Sequence, residues 1–271
     1  MTRVFRFLAG ITLLSLCFCG YAAAAADQAS ANQVSVPILL YHRFAPTVVD
    51  SMTTTTKVFA WQLKWLKDHD YHVIPLRSLI NYLRGQGSPP PPHSVVIVAD
   101  DGHKSVYSDM LPLIREYKYP VTLFIYPSCI SNAHYAMTWG QLKKLQQTGL
   151  FDLQGHTFWH PNFKKDKKKM TPAQFQKDLH RQLVISKAVL EKHFGTKVDL
   201  LAWPFGIYDK ELEDAAAKAG YIAAFSIDRY NVSKGENLMA LPRYLMSNYD
   251  QGKRFEAIVT GHAQEKRHRT Q

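Results

Sequence analysis

From Ser35 onward, short apolar runs alternate with amphipathic stretches, the pattern of repeated strand and helix units. Val36 to Leu40 reads as a first strand ending at Tyr41-His42, and Phe59, Leu63 and Leu66 then fall on one helical face. His72 to Ile74 is a short strand before Pro75, Leu76 to Leu83 a helix, and a Gly- and Pro-rich loop leads to Val95-Val96-Ile97-Val98-Ala99. That unbroken β-branched run reads as a buried strand ending in Asp100-Asp101-Gly102. A helix containing Val106, Met110, Leu113 and Ile114 follows, then a strand over 121–126 closed by Pro127. Thr138 and Gln141 have capping-box spacing and start a helix that stops at Gly149. Beyond it come a strand over 151–154, a long helix from Thr171-Pro172 to about Phe194, a strand over 199–202, a helix over 209–219, a strand over 222–226 and an extended segment Leu241-Pro242-Arg243-Tyr244-Leu245. Such alternation predicts an α/β fold, either a parallel barrel or a doubly wound sheet. In both, functional groups gather at the C-terminal ends of strands. His42, Asp100, Asp101, His156 and Trp203 all follow predicted strands.

The start of the chain departs from this pattern. Arg3 and Arg6, an apolar run from Phe7 to Cys19 and five alanines over 22–26 have the order of a secretory signal peptide, so residues 1–26 are set aside and the protein is expected to be exported, to the periplasm or the extracellular envelope. Residues 27–262 then form one expected domain and 263–271 a basic tail. Cys129 is the one cysteine left, so no internal disulfide forms and stability rests on an ordinary core. The net charge is +11, of which the leader accounts only for Arg3 and Arg6. This balance favours association with an anionic cell-envelope surface. Export and the scatter of the basic residues argue against nucleic acid. The run Lys164-Lys165-Asp166-Lys167-Lys168-Lys169 reads as a solvated loop.

Two adjacent carboxylates at the end of a buried strand are costly without a compensating partner, and a metal ion is one such partner; a helix-capping turn is the alternative. His156 and His160, four residues apart, would face the same way on one helical turn and suit two-imidazole coordination. With one carboxylate they make a set that leaves metal positions open for water and substrate. One divalent ion is expected, Zn²⁺ by default, with Co²⁺, Ni²⁺ or Mn²⁺ able to occupy such a site.

Val98-Ala99-Asp100-Asp101-Gly102, His156-Thr157-Phe158-Trp159-His160-Pro161 and Trp203-Pro204-Phe205-Gly206, in that order, resemble the first three motifs of the polysaccharide deacetylases of carbohydrate esterase family 4. The resemblance implies an irregular (β/α)7-type barrel with Asp100 as general base, Asp101, His156 and His160 as metal ligands, and a backbone N–H near Phe205 holding the oxyanion. Trp159, Trp203, Pro204 and Phe205 become candidates for substrate binding, with Leu40 added from the first strand; a core role is open for each aromatic. The family's acid histidine usually lies near the C-terminus, where His262 is the candidate. The strand ending at His42 instead resembles the permuted subgroup that acts on poly-N-acetylglucosamine, which makes His42 the expected acid. Two departures stand out: Ala99 replaces a common Phe, and no arginine near the third motif orients the base. The implied function is removal of acetyl groups from N-acetylglucosamine units of an extracellular polysaccharide, poly-β-1,6-N-acetylglucosamine first, peptidoglycan or chitin-type chains second. Removal of O-acetyl groups and a non-catalytic glycan-binding module are the other readings.

Overall fold

A computed structural model describes residues 34–263; the signal peptide expected at 1–26 and the basic tail from residue 264 onward lie outside the described residues. The main sheet holds eight strands: β1 (Ile38–Tyr41), β2 (His72–Val73), β3 (Ser94–Asp100), β4 (Val121–Ile125), β5 (Phe151–Gly155), β6 (Leu200–Ala202), β7 (Ala223–Phe225) and β8 (Tyr244–Leu245). Their order in space is β7-β6-β5-β4-β3-β1-β8, with β2 paired to the first residues of β3, and every pairing is parallel. A parallel sheet is covered on both faces, which is why β1, β3 and β4 are buried at every position and, apart from Ser94, Asp100 and Thr122, apolar.

Successive residues of each strand feed two cores. Leu39, Ile97, Leu123, Leu153 and Leu201 pack outward with Leu63, Leu66, Ile114 and Leu145 of the surrounding helices. Leu40, Val98, Phe124, Ala202 and Phe225 share the second cluster with Leu241. Leu241 lies beside Phe225 of β7 in a parallel bridge, and Tyr244 and Leu245 pair with Leu39 and Leu40 of β1. The segment over 241–245 therefore spans from one end of the strand series to the other and curls the sheet into an irregular seven-strand barrel, as expected. Ala99 is fully buried between its register partners Tyr41 and Leu123.

The capping box expected at Thr138 with Gln141 forms, and a second joins Thr171 to Gln174. The long helix expected over 171–194 contains a feature that periodicity does not show: Pro172–His180 passes through a π turn, Arg181–Ile185, before Ser186–Phe194. A second π turn, Val106–Met110, precedes Leu111–Tyr117. The lysine run expected as a loop is in part a short helix, Phe163–Lys167, because Asn162 caps it and Phe163 is buried as an anchor. Among the described residues no helix is long and apolar enough to cross a membrane.

Leu241→Ala should destabilise the protein by about 2–5 kcal/mol through the cavity it leaves at the closing segment. Urea unfolding checks this, and a loss below about 1 kcal/mol would show that closure does not depend on this side chain.

Candidate active site

Strand register decides which groups meet. Tyr41 stands opposite Ala99, Phe124 opposite Asp100, and Ile125 opposite Gly155. The residues that leave β1, β3 and β5, namely His42, Asp101 and His156, therefore emerge side by side at the C-terminal edge.

Asp101, His156 and His160 each offer one ligand atom, and these atoms lie within 4.8 Å of one another. Asp101 Oδ1 is 3.5 Å from His156 Nε2 and 3.7 Å from His160 Nε2. His156 Nδ1 lies 2.7 Å from the Ala202 carbonyl, which can only accept, so Nδ1 carries the hydrogen and the Nε2 lone pair faces the cluster. Asp101 Oδ1 is buried and has no hydrogen-bond partner. An orphaned carboxylate oxygen beside two imidazole nitrogens fits a divalent cation with open coordination positions.

Electrostatics agree with that fit. Burial opposes charge on Asp101, yet nearby His156, then His42 and His160, hold its carboxyl well below the usual carboxylate range. Burial alone would lower His156, but Asp100 and Asp101 draw it above its ordinary value. Burial, followed by neighbouring His156, pushes His160 down to about 4, so it presents a neutral imidazole at neutral pH.

The two histidines do not share a helical turn, contrary to the expectation from their spacing. They bracket a loop in which Thr157 (φ 65°) and His160 (φ 60°) are left-handed, a conformation that no regular helix of L-residues contains. The loop is held by side chains. Ser186 Oγ donates to the Thr157 carbonyl at 2.5 Å, and the His160 N–H donates to Thr157 Oγ1 at 3.2 Å. Gln182, fully buried in the π turn, accepts from the N–H groups of Phe158 (3.0 Å) and Trp159 (3.3 Å). Asp101 (φ 72°) and Phe205 (φ 57°) are left-handed too. At Gly206 (φ +66°) a Cβ would meet Ile227 Cγ1 at 2.5 Å, so only glycine fits there.

Asp100 is buried at the end of β3, and Arg243 grips it from the closing segment. Nη1 donates to Oδ1 and Nη2 to Oδ2, both at 2.9 Å, while Nε donates to the Ser226 carbonyl at 2.9 Å. The arginine that was missing near the third motif is thus supplied about forty residues later. Sequence reasoning treated Leu241 to Leu245 as a plain extended segment; a lone arginine within an apolar strand run was the available signal. His42 has a buried Nδ1 without a hydrogen-bond partner. Burial lowers its basicity, opposed by Asp100 and Asp101.

Several expected site residues fall elsewhere. Leu40, Trp203 and Pro204 have buried side chains, so none offers a surface to substrate; Leu40 belongs to the core shared with Leu241, and Trp203 donates its Nε1–H to the Met239 carbonyl at 2.8 Å. Trp159 and Phe205 are 38% and 55% exposed, and Phe205 packs edge-on to His160 with ring centroids 4.5 Å apart. His262 is exposed, beside Thr260 Oγ1 at 2.8 Å. Asp228 holds structure: its carboxylate accepts from Ser226 Oγ and Tyr208 OH, and its carbonyl accepts the Arg243 N–H.

Barrel, Asp101-His156-His160 cluster and buried carboxylate fit a hydrolase that removes acyl groups from glycans. The chain belongs to the polysaccharide deacetylase family, whose sequence profile matches residues 87–224. A relative from Staphylococcus aureus, named poly-beta-1,6-N-acetyl-D-glucosamine N-deacetylase, is 28% identical over 208 residues, covering 74% of this chain and 70% of its own. Among solved structures, the deacetylase PplD of Streptococcus pyogenes superposes with a TM-score of 0.74 at 20% identity, covering 84% of this chain and 99% of its own. IcaB from Ammonifex degensii gives 0.73 at 22%, covering 84% and 97%.

Gln182→Ala should weaken Zn²⁺ binding about tenfold or more while the protein stays folded, because the His160 loop loses the acceptor for two amides. Calorimetric titration of chelator-stripped protein measures it; wild-type affinity in the variant would show that the loop holds its shape without Gln182.

Proposed function

We propose that this polysaccharide deacetylase is an exported N-deacetylase, with residues 27–262 as its catalytic domain, that removes acetyl groups from N-acetylglucosamine units of poly-β-1,6-N-acetylglucosamine. The observation that carries the reading is Asp100, fixed by Arg243 at the edge of the Asp101-His156-His160 cluster, with His156 Nε2 3.8 Å from Asp100 Oδ2. The Staphylococcus aureus relative's name supports the substrate, as does a histidine at the end of the first barrel strand.

Asp101, His156 and His160 would hold one divalent ion, Zn²⁺ on the strength of the donor set. When bound, that ion supplies Lewis acidity to a water molecule and to the acetyl carbonyl. Asp100 takes a proton from the water as its oxygen bonds to the carbonyl carbon. The amide N–H groups of Gly206 and Ile207 are engaged by Trp203 and Pro204 carbonyls, so the Phe205 N–H is assigned to the oxyanion. As the carbon–nitrogen bond breaks, His42 gives its proton to the leaving amine, and acetate and the free amino sugar depart. Burial makes His42 the stronger acid for that step, and the opposing pull of nearby Asp100 and Asp101 supports its nearness to the reacting groups. His262, exposed beyond the helix Lys253–Val259, has neither feature.

The net charge of +11 favours a second reading, a deacetylase of an anionic wall glycan such as peptidoglycan. Acetate release from poly-β-1,6-N-acetylglucosamine, chitin oligomers and peptidoglycan, each with and without chelator, separates the two; chelator-insensitive release would overturn the metal assignment.

The carboxylates should behave differently. Asp101→Asn is expected to lose bound metal and rate together. Asp100→Asn should lower the rate at least about a hundredfold and keep the metal, as measured by elemental analysis of the purified variants. Equal metal loss in both would reverse the roles. His42→Ala should lower release of acetate from an N-acetylated glycan by a similar factor, and a near wild-type rate would remove it as the acid.

A further inference from the structure

Beside Trp159 opens a cleft of about 340 Å³ that the chemistry above leaves unused. Trp159 gives it an exposed apolar face. The Arg181 guanidinium lies over the rings of both Trp159 (5.2 Å) and Phe158 (5.4 Å), fixing the indole from the side. Lys169, Lys177 and Gln174 complete the rim, all exposed, and neither lysine is in an ion pair among the described residues. In its wall stands Asp178, more than nine-tenths buried. Its Oδ1 accepts from Gln182 Nε2 at 3.2 Å, whereas Oδ2 is buried with no partner. A buried acceptor left unmatched is destabilising, so this oxygen suits a donor that arrives with a ligand.

The residue types describe the ligand. A flat aromatic face accommodates the C–H face of a sugar ring, the free carboxylate oxygen accepts a hydroxyl or amide N–H, and three cations against one acid favour an anionic substituent. The cleft is also tied to the catalytic loop. Gln182 donates to Asp178 and accepts from the N–H of Trp159, the residue before His160. We propose that the cleft is a second sugar subsite, one that takes a carboxylate-bearing residue of the same glycan whose acetyl group is removed at the Asp101-His156-His160 centre. The ring lies on Trp159, a hydroxyl or amide donates to Asp178 Oδ2, and the carboxylate faces Lys169, Lys177 and Arg181. This rests on the deacetylase reading and, within it, favours chains that carry acidic substituents over the unsubstituted poly-β-1,6-N-acetylglucosamine.

The test uses the full chain and two ligands: a β-1,6-linked N-acetylglucosamine tetramer, and the same tetramer carrying one carboxymethyl ether. Binding is followed by tryptophan fluorescence, with Trp159→Phe assigning the signal, and acetate release is measured in parallel. The acidic tetramer is expected to bind about tenfold tighter at low salt. Lys169→Gln/Lys177→Gln should narrow that ratio below about twofold, as should 0.5 M NaCl, roughly the range in which exposed charges are screened. Equal binding of both tetramers, or a preference that survives the double substitution, would overturn the subsite. Preferential binding without acetate release from either tetramer would sink the deacetylase reading for these chains and leave the subsite standing.

Discussion

Everything at the site depends on the burial of one carboxylate. Asp100 sits at the end of a fully buried strand, where moving an ion out of water costs several kcal/mol unless geometry compensates. Arg243 compensates it with two parallel charge-assisted hydrogen bonds and is itself completely buried, its third donor satisfied by the Ser226 carbonyl. The guanidinium can be there only because the segment over 241–245 crosses from β7 to β1, and its path is set where Asp228 accepts the Arg243 N–H. Barrel closure and placement of the Asp100 carboxylate are therefore one structural problem. Removing either partner would strand a charge in the interior, a situation that costs about 3–5 kcal/mol.

Around this pair lie four of the eight described non-glycine residues with positive φ. Asp101, Thr157, His160 and Phe205 are non-glycine residues in the left-handed region, each at a cost of about 1–3 kcal/mol. Such conformations persist only where surroundings over-determine them, and the surroundings here are polar and buried: Ser186, Thr157 Oγ1 and Gln182 for the histidine loop, and packing of Gly206 against Ile227 for the turn at Phe205. The π turn belongs to the same account. One added residue rotates the following helix by roughly 100° about its axis, and here the turn holds Gln182 buried against the loop instead of facing solvent.

What was legible in the sequence follows from which forces are local. Strands of a parallel barrel are buried on both sides, so their apolar runs stand out, and the C-terminal-edge rule then collects His42, Asp101 and His156 without any coordinates. His156 and His160 also came from spacing, though for a wrong local reason, since four-residue separation suits a helix and a left-handed loop equally well, and Asp101 joined them through the family resemblance. Arg243 stands out as a lone arginine in a strand-like pentapeptide, but its partner lies 143 residues away and nothing local names it. Leu40, Trp203 and Pro204 were misplaced because motif membership does not say which way a side chain turns; the indole found a carbonyl at Met239 and went inward.

Polarity around the site is asymmetric, and this gives the centre a direction. His160 is enclosed on one side by Tyr126, whose ring lies 5.6 Å from it, and on another by Phe205 at 4.5 Å. Phe205 and Trp159 nevertheless keep large apolar faces in water, which costs free energy that a purely structural role would not require. Exposed aromatics beside His160 suit the proposed reading, in which a long, C–H-rich and hydroxylated chain lies across the centre, because stacking holds the ring while leaving its substituents free to turn. The cationic rim lies on the Trp159 side, where Lys169, Lys177 and Arg181 gather around Asp178. A chain crossing the centre would therefore meet different electrostatic surroundings at its two ends, and that difference, more than the total charge, sets which substituents it can carry.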